Sequence, residues 1–417
     1  MVLHPPKSIT LKRTLFMYPN FYYIFKDWFG IEITFLNIIN SFGFFVALSF
    51  LLASLLMQKE LKRKFNDGIL GNGIKLTRFV GKPFSVTDYV TSGITGFILG
   101  FKILPILLDF SVTNGNPQEF LLSGAGSWLY GILLAAGFAA YNFYLDKKQR
   151  LETPIEKSVT VDPSHFMGEF TLAAFVGGLL GAKLFHILEN LDEFAVDPMG
   201  SIISFSGLTF YGGLIVGGAA VLYKANKKGI PVLHMLDVGG PAMMLAYGIG
   251  RIGCHVSGDG DWGIVNTNPK PAWMSFLPDW MWSYDYPNNV NSVGVPLPNC
   301  FDAQHCNHLV PSVYPTPFYE TIMALILFFI LWRLRKRFKY AGTLFGVYLI
   351  MNGLERFLIE KIRVNTIMEF AGIKFTQAEL ISTCLMIAGV ALIVFAQKNK
   401  LETQNLVSTG DNTSAEA

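Results

Sequence analysis

The sequence contains few charged residues for its length of 417. Asp, Glu, Lys and Arg make up 15% of it, whereas soluble globular domains contain about 25%. Hydrophobic residues make up 51% and aromatic residues 14%. The scarcity of charge excludes an ordinary soluble protein, and the formal net charge of only +3 argues against a nucleic-acid partner.

Long apolar runs stand where the charged residues are missing. Nine of them are long enough to cross a bilayer, which takes about 20 residues each. The first 33 residues lack the basic, apolar and small-residue series of a cleaved signal peptide, so the first run is interpreted as an uncleaved anchor. We expect an all-α polytopic membrane protein with about nine transmembrane helices, at 34–57, 88–110, 126–145, 168–188, 206–223, 233–254, 317–333, 341–361 and 378–397.

Basic residues alternate between the loops that join these runs. Seven, four, three and five lysines and arginines occur in the loops at 58–87, 146–167, 224–232 and 333–340. The loops at 111–125 and 189–205 contain none, and the loop at 255–316 contains only Lys270. Since basic loops stay in the cytoplasm, we expect the N-terminus outside, the C-terminus inside and the 255–316 loop in the periplasm. The polar tail at 398–417 is predicted to be cytoplasmic and disordered.

The sequence has only four cysteines. Cys300 and Cys306 lie in the predicted outside loop, where disulfides persist. A metal site is the alternative, because His305 and His308 flank Cys306 and Asp302 is near. A compact metal site needs four ligands at suitable spacing, and we favour the disulfide.

An internal repeat connects two pairs of predicted spans. The segment DYVTSGITGFILGFK ends at Lys102, and EFTLAAFVGGLLGAK ends at Lys183, an offset of 81 residues. At the same offset, Tyr130 matches Tyr211 and several glycines coincide. Small residues recur in any packed membrane helix, but a lysine and a tyrosine at one offset favour duplication. The region 61–165 is therefore predicted to contain an extra helical hairpin that resembles 168–225.

The segment GRIGCHVSGDGDWG, residues 250–263, ends one of the apolar runs. An arginine at the centre of a membrane helix costs about 2.5–3.5 kcal/mol on insertion scales, so Arg251 should face protein or water. Glycines let a backbone bend tightly and approach a ligand. The segment indicates a helix end that opens into a polar pocket. The alternative is an interfacial arginine that extends towards the headgroups, followed by a glycine-rich loop.

Polar side chains of several predicted spans share the outer half of the bilayer. Arg356, Glu360 and Arg363 follow Asn352 at spacings of 4, 4 and 3, which places them on one helix face. Arg356 and Glu360 alone could form a simple salt bridge. Arginine binds phosphate through a planar fork, so the group suggests a site for an anionic lipid headgroup. Its other members are Lys183, His186, Tyr211, Arg251, His255, Tyr314, Tyr319 and Glu320.

These motifs resemble those of the prolipoprotein diacylglyceryl transferases of bacterial inner membranes. The family's Gly-Arg-x-Gly-Asn-Phe-x-Asn-Gly-Glu signature corresponds to GRIGCHVSGDGDWG, and its Arg-Phe-x-x-Glu-x-x-Arg motif is intact as RFLIEKIR. Its His-Gly-Gly-Leu and His-Pro-Thr-x-x-Tyr-Glu motifs correspond to YGGL from Tyr211 and YPTPFYE from Tyr314. Asp237, Pro241 and Gln377 also match. The resemblance covers about 168–397.

The resemblance implies a division of the chain. The family has seven spans, so the duplicated hairpin would supply the two extra ones. We expect an N-terminal region with the first span at 1–60, the extra hairpin at 61–165, a transferase-like membrane core at 166–397 and the tail at 398–417.

The sequence departs from the family at several motif positions. The family's histidine is Tyr211 here, and the first asparagine of the signature is Cys254. Asp259 or Asp261 replaces the signature's glutamate. Tyr314 replaces a second histidine, and Asn352 replaces a tyrosine. Either the catalytic base lies elsewhere or the activity has changed.

The resemblance implies transfer of a diacylglyceryl group from phosphatidylglycerol to the lipobox cysteine thiol of prolipoprotein signal peptides. The reaction releases glycerol 1-phosphate at the outer side of the inner membrane, in contact with membrane lipids, and needs no metal or organic cofactor. An inactive or redirected lipid-binding relative is one alternative. A membrane transporter is another, although inverted repeats are the commoner signature there.

The resemblance and the shared depth nominate the site residues. Arg251 and Arg356 are expected to stabilise the charge of the leaving phosphate. A thiol, with a pKa near 8.5, reacts as thiolate, and His255, one turn beyond Arg251, is a candidate base unless it is only an interfacial histidine. Tyr211 would orient the headgroup, and Glu360 would orient Arg356 or Arg363. The expected substrate-binding residues are Arg363, Glu360, Asp259, Asp261, Tyr319, Glu320, Asn352 and Lys183.

Overall fold

The structure is a computed structural model that describes residues 17–71, 73–113, 120–121, 123–203, 209–298, 300, 305–370 and 372–399. Helices dominate it. They are α1 (Phe21–Phe29), α2 (Ser41–Asn66), α3 (Val86–Ile98), α4 (Leu104–Leu108), α5 (Trp128–Gln149), α6 (Met167–Glu189), α7 (Leu191–Val196), α8 (Pro198–Ile203), α9 (Phe210–Lys227), α10 (Val232–Ser257), α11 (Thr316–Leu334), α12 (Thr343–Ile359) and α13 (Gln377–Lys398). Three short antiparallel strand pairs accompany them: β1 (Ile74–Val80) with β2 (Ile155–Val161), β3 (Val295–Pro296) with β4 (Asn307–His308), and β5 (Ile367–Phe370) with β6 (Ile373–Thr376).

The prediction of an all-α polytopic membrane protein is confirmed. Within the described ranges, seven helices are long and apolar enough to cross a membrane: Ser41–Asn66, Val86–Leu108, Trp128–Gln149, Pro163–Glu189, Val232–Ser257, Thr316–Leu334 and Gln377–Lys398. The other two predicted spans coincide with α9, which has 18 residues, and α12, which has 17. The count of nine transmembrane helices stays a prediction, and residues 400–417 of the predicted tail lie outside the described part of the chain.

Contacts divide the chain into two compact units. The first comprises Met1–Ala53, Gly240–Arg335 and Gly346–Val394, and the second comprises Ser54–Gly239, Lys336–Phe345 and Phe395–Ala417. The second unit contains both copies of the predicted repeat. The first contains the ends of α10 and α12, where most of the predicted site residues lie.

The repeat of the second unit includes a strand as well as two helices. The bounds of β1 and β2, Ile74–Val80 and Ile155–Val161, differ by the same 81 residues as the helix pairs. The two strands pair with each other, and Thr77 lies opposite Ser158, its counterpart in the repeat. Each strand precedes its own helix pair, α3 with α5 and α6 with α9. The structure therefore supports duplication of a strand and a hairpin together.

Glycines allow the helices of each hairpin to approach closely. A Cβ on Gly100 of the turn between α3 and α4 would overlap the carbonyl oxygen of Tyr130 on α5. A Cβ on Gly181 of α6 would overlap the carbonyl oxygen of Gly212 on α9. Gly100 and Gly181 correspond in the repeat, so both hairpins place a glycine at the same kind of backbone contact, as packed membrane helices commonly do.

Alanine at either of these glycines is expected to destabilise the protein. Gly100→Ala and Gly181→Ala should each lower the free energy of unfolding by about 1–3 kcal/mol, because the added methyl meets backbone and separates the helices. Gly137 and Gly218 also correspond in the repeat, but nothing lies within 4 Å of a Cβ built on either. Gly137→Ala and Gly218→Ala are the matched controls and should be neutral or slightly stabilising in thermal unfolding of the purified protein. Equal effects in all four variants would contradict the close-packed hairpins.

A buried polar cluster in the second unit fixes the start of α12. The carboxylate of Asp237 on α10 accepts hydrogen bonds from the backbone N–H groups of Gly342, at 2.9 Å, and Phe345, at 3.0 Å. Lys64 Nζ lies 3.8 Å from Asp237 Oδ2 and 3.4 Å from Nδ1 of His234. A carboxylate at a helix N-terminus satisfies backbone donors that have no partner within the helix. Asp237 therefore positions the helix that carries the RFLIEKIR motif.

The loop after α10 contains the predicted disulfide. Cys300 and Cys306 are bonded to each other, which confirms that prediction. His308 pairs through Nδ1 with Asp285 at 2.9 Å, and Asp302 lies outside the described residues. A cysteine in a disulfide is no longer a thiolate ligand, so the disulfide replaces the metal interpretation at Cys306.

Candidate active site

The last turns of α10 carry the first group of site residues. Tyr247, Arg251 and His255 follow one another at intervals of four and share a face of the helix. The helix ends at Ser257, and Gly258 and Gly260 then adopt positive φ angles of 62° and 102°. Glycine adopts this conformation without strain, so the chain turns sharply and returns Asp261 towards Arg251.

Backbone pairing brings the signature segment to the end of α12. The N–H of Gly263 donates to the carbonyl of Tyr314 at 2.9 Å, and the N–H of Ile264 donates to the carbonyl of Ile362 at 2.9 Å. A side chain at Gly263 would overlap the Ile362 carbonyl oxygen. Thr316, at the start of α11, donates through Oγ1 to the Asp261 carbonyl at 2.8 Å. Three segments that are distant in sequence therefore meet around Asp261.

Glu320 of α11 lies at the centre of a cluster of arginines. Its side chain is completely buried. Its carboxylate lies 3.1 Å from Nε of Arg251, 3.4 Å from Nη1 of Arg363 and 3.7 Å from Nη1 of Arg356. Tyr247 donates its hydroxyl to Glu320 Oε1 at 3.1 Å. One carboxylate thus interacts with three guanidinium groups from α10, α12 and the segment that follows α12.

Two aspartates of the signature differ in their ionisation. Asp261 accepts hydrogen bonds from Arg251 and from Nη2 of Arg363, the latter at 2.8 Å. Burial opposes its ionisation, but Arg251 and Arg363 outweigh burial and hold the pKa of the Asp261 carboxyl below its usual range. Burial and then the neighbouring Asp261 raise the pKa of the Asp259 carboxyl. Asp261 is therefore a firm counter-ion, whereas Asp259 retains a proton more readily.

Two arginine donors in the cluster have no acceptor. Nη1 of Arg356 and Nε of Arg363 are buried and form no hydrogen bond with the described residues. Arg356 is anchored through Nη2, which lies 3.0 Å from Oε2 of Glu360. A buried donor without an acceptor carries a desolvation cost of about 1–3 kcal/mol. An anion with several oxygens would satisfy both donors at once.

Two further residues of the cluster were missed by the sequence analysis. Tyr247 lies one turn before Arg251, and Glu355 directly precedes Arg356. Tyr247 reaches Glu320 and, at 3.4 Å, Oε1 of Glu355. Both residues lie in apolar runs, and an acidic residue inside a predicted span is a signal that could have identified Glu355.

His255 lies inside a group of aromatic rings. Its ring centroid is 5.6 Å from that of Trp280, 5.7 Å from Tyr284, 5.6 Å from Tyr286 and 5.8 Å from Phe318. Its Nδ1 lies 3.2 Å from the Tyr286 hydroxyl. The imidazole is 9% exposed. The structure gives His255 a packing environment, and its predicted role as a base stays a prediction.

Four other predicted site residues have surroundings of their own. Tyr319 donates its hydroxyl to the Met281 carbonyl at 2.7 Å, which ties α11 to the outside loop. Asn352 is half-buried one turn before Arg356 and makes no hydrogen bond to the described residues. Lys183 on α6 and Tyr211 on α9 belong to the second unit. The side chain of Lys183 is half-buried, and Tyr211 is 38% exposed.

One group of side chains in the described ranges has the spacing of a metal site. One ligand atom each of Cys254, Asp259 and Asp261 lies within 4.8 Å of the others. Arg251 occupies the Asp261 carboxylate, and its Nη1 is 3.8 Å from the sulfur of Cys254. A fixed guanidinium among the ligands opposes a second cation, so the group suits an anionic rather than a cationic partner.

The fold and this cluster define a polytopic membrane protein with three arginines gathered around one buried carboxylate. The family model described as prolipoprotein diacylglyceryl transferase matches residues 122–395. The chain belongs to this family of transferases, and it is a multi-pass inner-membrane protein.

The most similar relatives support the same assignment. The phosphatidylglycerol–prolipoprotein diacylglyceryl transferase of Clostridium tetani is 29% identical over 60% of this chain and 85% of the relative. The protein of the same name from Chlorobaculum tepidum is 26% identical over 71% of this chain and 94% of the relative. The one from Leptospira interrogans serovar copenhageni is 27% identical over 58% and 72%. The matched ranges extend over most of each relative.

Proposed function

We propose that the protein transfers a diacylglyceryl group from phosphatidylglycerol to the lipobox cysteine thiol of prolipoproteins and releases glycerol 1-phosphate. The observation that carries the proposal is the pair of buried arginine donors, Nη1 of Arg356 and Nε of Arg363, which have no acceptor among the described residues. A lipid phosphate supplies oxygens in the geometry that a guanidinium fork matches. The names of the relatives provide the two substrates.

The arginines act on the bond that breaks. The thiolate attacks the glycerol carbon next to the phosphate, a carbon–sulfur bond forms, and the carbon–oxygen bond breaks with its electron pair moving to the phosphate oxygen. Arg251 and Arg356 stabilise the charge that develops there, and Arg363 binds the same phosphate. Glu320, Asp261 and Glu360 hold the guanidinium groups in place, so that little reorganisation is needed at the moment of reaction.

The remaining site residues contribute to lipid and peptide binding in this proposal. Tyr211 orients the headgroup by hydrogen bonding, because its unperturbed pKa near 10 makes it a poor base. Lys183, Asn352 and Tyr319 line the path of the substrates. Asp259 supplies a carboxyl beside the signature segment. The transferase core extends over 166–397, preceded by the first span at 1–60 and the extra hairpin at 61–165, with 398–417 as the cytoplasmic tail.

We further propose that the N-terminus and the 255–316 loop lie outside, because basic residues are concentrated in the alternate loops. A cysteine introduced at Thr160 in β2 should then resist a membrane-impermeant thiol reagent in intact cells and react after permeabilisation. Asp279→Cys in the outside loop, where the native side chain is 96% exposed, should react in intact cells. Both variants need a Cys384→Ser background, since Cys384 is free and exposed. Labelling of position 160 in intact cells would overturn the orientation.

Complementation tests the proposed activity in cells. Expression of this protein in a bacterium depleted of its own diacylglyceryl transferase should restore growth and lipoprotein maturation, whereas Arg356→Ala should not. Failure of the unmodified protein to restore maturation, despite its presence in the membrane, would favour a relative that binds lipid without transferring it.

A further inference from the structure

Glu355 is a buried carboxyl in the arginine cluster that the proposed mechanism has not used. It lies on α12 directly before Arg356 and is 3% exposed. Oε1 accepts a hydrogen bond from the Tyr247 hydroxyl at 3.4 Å. Oε2 is buried and has no hydrogen-bond partner among the described residues. A buried carboxyl oxygen without a partner can accept a proton from a group that enters the site.

Glu355 differs from the other carboxyls in having no ion pair. Glu320, Asp261 and Glu360 each form at least one salt bridge with an arginine of the cluster. No salt bridge involves Glu355 within the described ranges. Arginine favours the charged form of a carboxylate that it contacts, and protonating such a carboxylate would release the arginine. Glu355 can gain and lose a proton while every arginine keeps its anchor.

The other candidate bases are less suitable. His255 has Nδ1 at the Tyr286 hydroxyl and four aromatic rings around it. About 0.1% of an unperturbed tyrosine such as Tyr211 is ionised near neutral pH. Asp259 also lacks an arginine partner, but its Oδ1 accepts the backbone N–H of Asp261 at 3.3 Å. Among these groups, Glu355 combines burial beside the arginines with a free oxygen.

We propose that Glu355 is the general base that removes the proton of the substrate thiol, an inference that rests on the proposed transferase function. The S–H proton moves to Oε2 of Glu355 as the sulfur attacks the glycerol carbon. The carbon–oxygen bond breaks, the phosphate oxygen takes the electron pair, and Glu355 then returns its proton to the released glycerol 1-phosphate. Tyr247 is a positioning residue, because its hydroxyl lies between Glu320 and Glu355 and orients the second carboxyl.

A selenocysteine peptide separates proton removal from every structural role of Glu355. Glu355→Gln keeps the size of the side chain and an acceptor for Tyr247 but removes the base. With a lipobox cysteine peptide and phosphatidylglycerol, kcat should fall about 10²–10⁴-fold, while KM for the lipid stays within about twofold. A selenol is largely ionised near neutral pH and needs no base. The same variant should therefore transfer to the selenocysteine peptide at a rate within about fivefold of the unmodified protein.

Two variants with the same kind of change serve as controls. Glu360→Gln removes the partner of Arg356, so we expect a higher KM for the lipid and a loss that selenocysteine does not restore. Asp259→Asn tests the rival carboxyl, and we expect no loss that depends on the nucleophile. Each variant is assayed as purified full-length protein, and its activity with the selenocysteine peptide also reports whether the protein is folded.

The outcomes assign failure to one proposal or the other. Normal transfer to cysteine by Glu355→Gln overturns the role of Glu355 alone. A loss that selenocysteine does not restore assigns Glu355 a structural role and overturns the base as well. A selenocysteine-dependent rescue in Asp259→Asn instead moves the base to Asp259. If the unmodified protein makes no thioether with either peptide, the transferase function itself fails, and the base fails with it.

Discussion

Replacing Glu320 with glutamine is expected to abolish transfer and to lower the free energy of unfolding by about 3–5 kcal/mol, the range for breaking a buried ion pair. The carboxylate is completely buried and lies within 4 Å of three guanidinium groups. A neutral amide leaves those groups with less counter-charge and presents an N–H₂ donor towards other donors. The measurements are thermal unfolding of the purified protein and initial transfer rates.

A second glutamate provides a matched control for this substitution. Glu379 on α13 pairs with Lys361, whose side chain is 57% exposed. Exposed ion pairs contribute about 0–1 kcal/mol, so Glu379→Gln should have little effect on stability or on transfer. Equal losses in the two variants would show that Glu320 has no special place in the cluster.

Lysine at Arg251 or Arg356 is expected to reduce kcat/KM at least about tenfold, and alanine at either about 10²–10³-fold, as for removal of a donor to a developing anion. Lysine retains the positive charge but loses the planar fork. In Arg356 that fork uses Nη2 for Glu360 and leaves Nη1 without an acceptor. A lysine can satisfy one of these roles but not both.

Arg63 provides the control for the arginine variants. It forms its salt bridges with Glu60 and Asp67 at the end of α2, in the second unit. Arg63→Lys should therefore leave transfer unchanged, whereas Arg251→Lys and Arg356→Lys reduce it. Full activity in both site variants would contradict phosphate binding by these arginines.

The sequence predicted the helical part of the site better than its centre. The spacing of RFLIEKIR placed Arg356 and Glu360 on one helix face, and the structure has them 3.0 Å apart. Glu320 and Arg251 belong to α11 and α10, and their contact depends on how the two helices pack. That packing depends on backbone pairing such as Gly263 with Tyr314, which no periodicity in the sequence reveals.

The repeat shows a similar limit. Its offset of 81 residues followed from Lys102 and Lys183, but β1 and β2 were not expected, because a run of seven residues between basic loops has little periodic signal. Glu355 was missed for another reason. It lies in an apolar run beside a recognised motif, and only the structure places it next to Tyr247 and Glu320.

The most direct test of the central claim is an assay of the purified protein with phosphatidylglycerol and a synthetic lipobox peptide, with products identified by mass spectrometry. The account predicts a diacylglyceryl thioether on the cysteine, glycerol 1-phosphate in equal amount, and no product when the cysteine is replaced by serine. Binding of phosphatidylglycerol without formation of either product would contradict the transferase function.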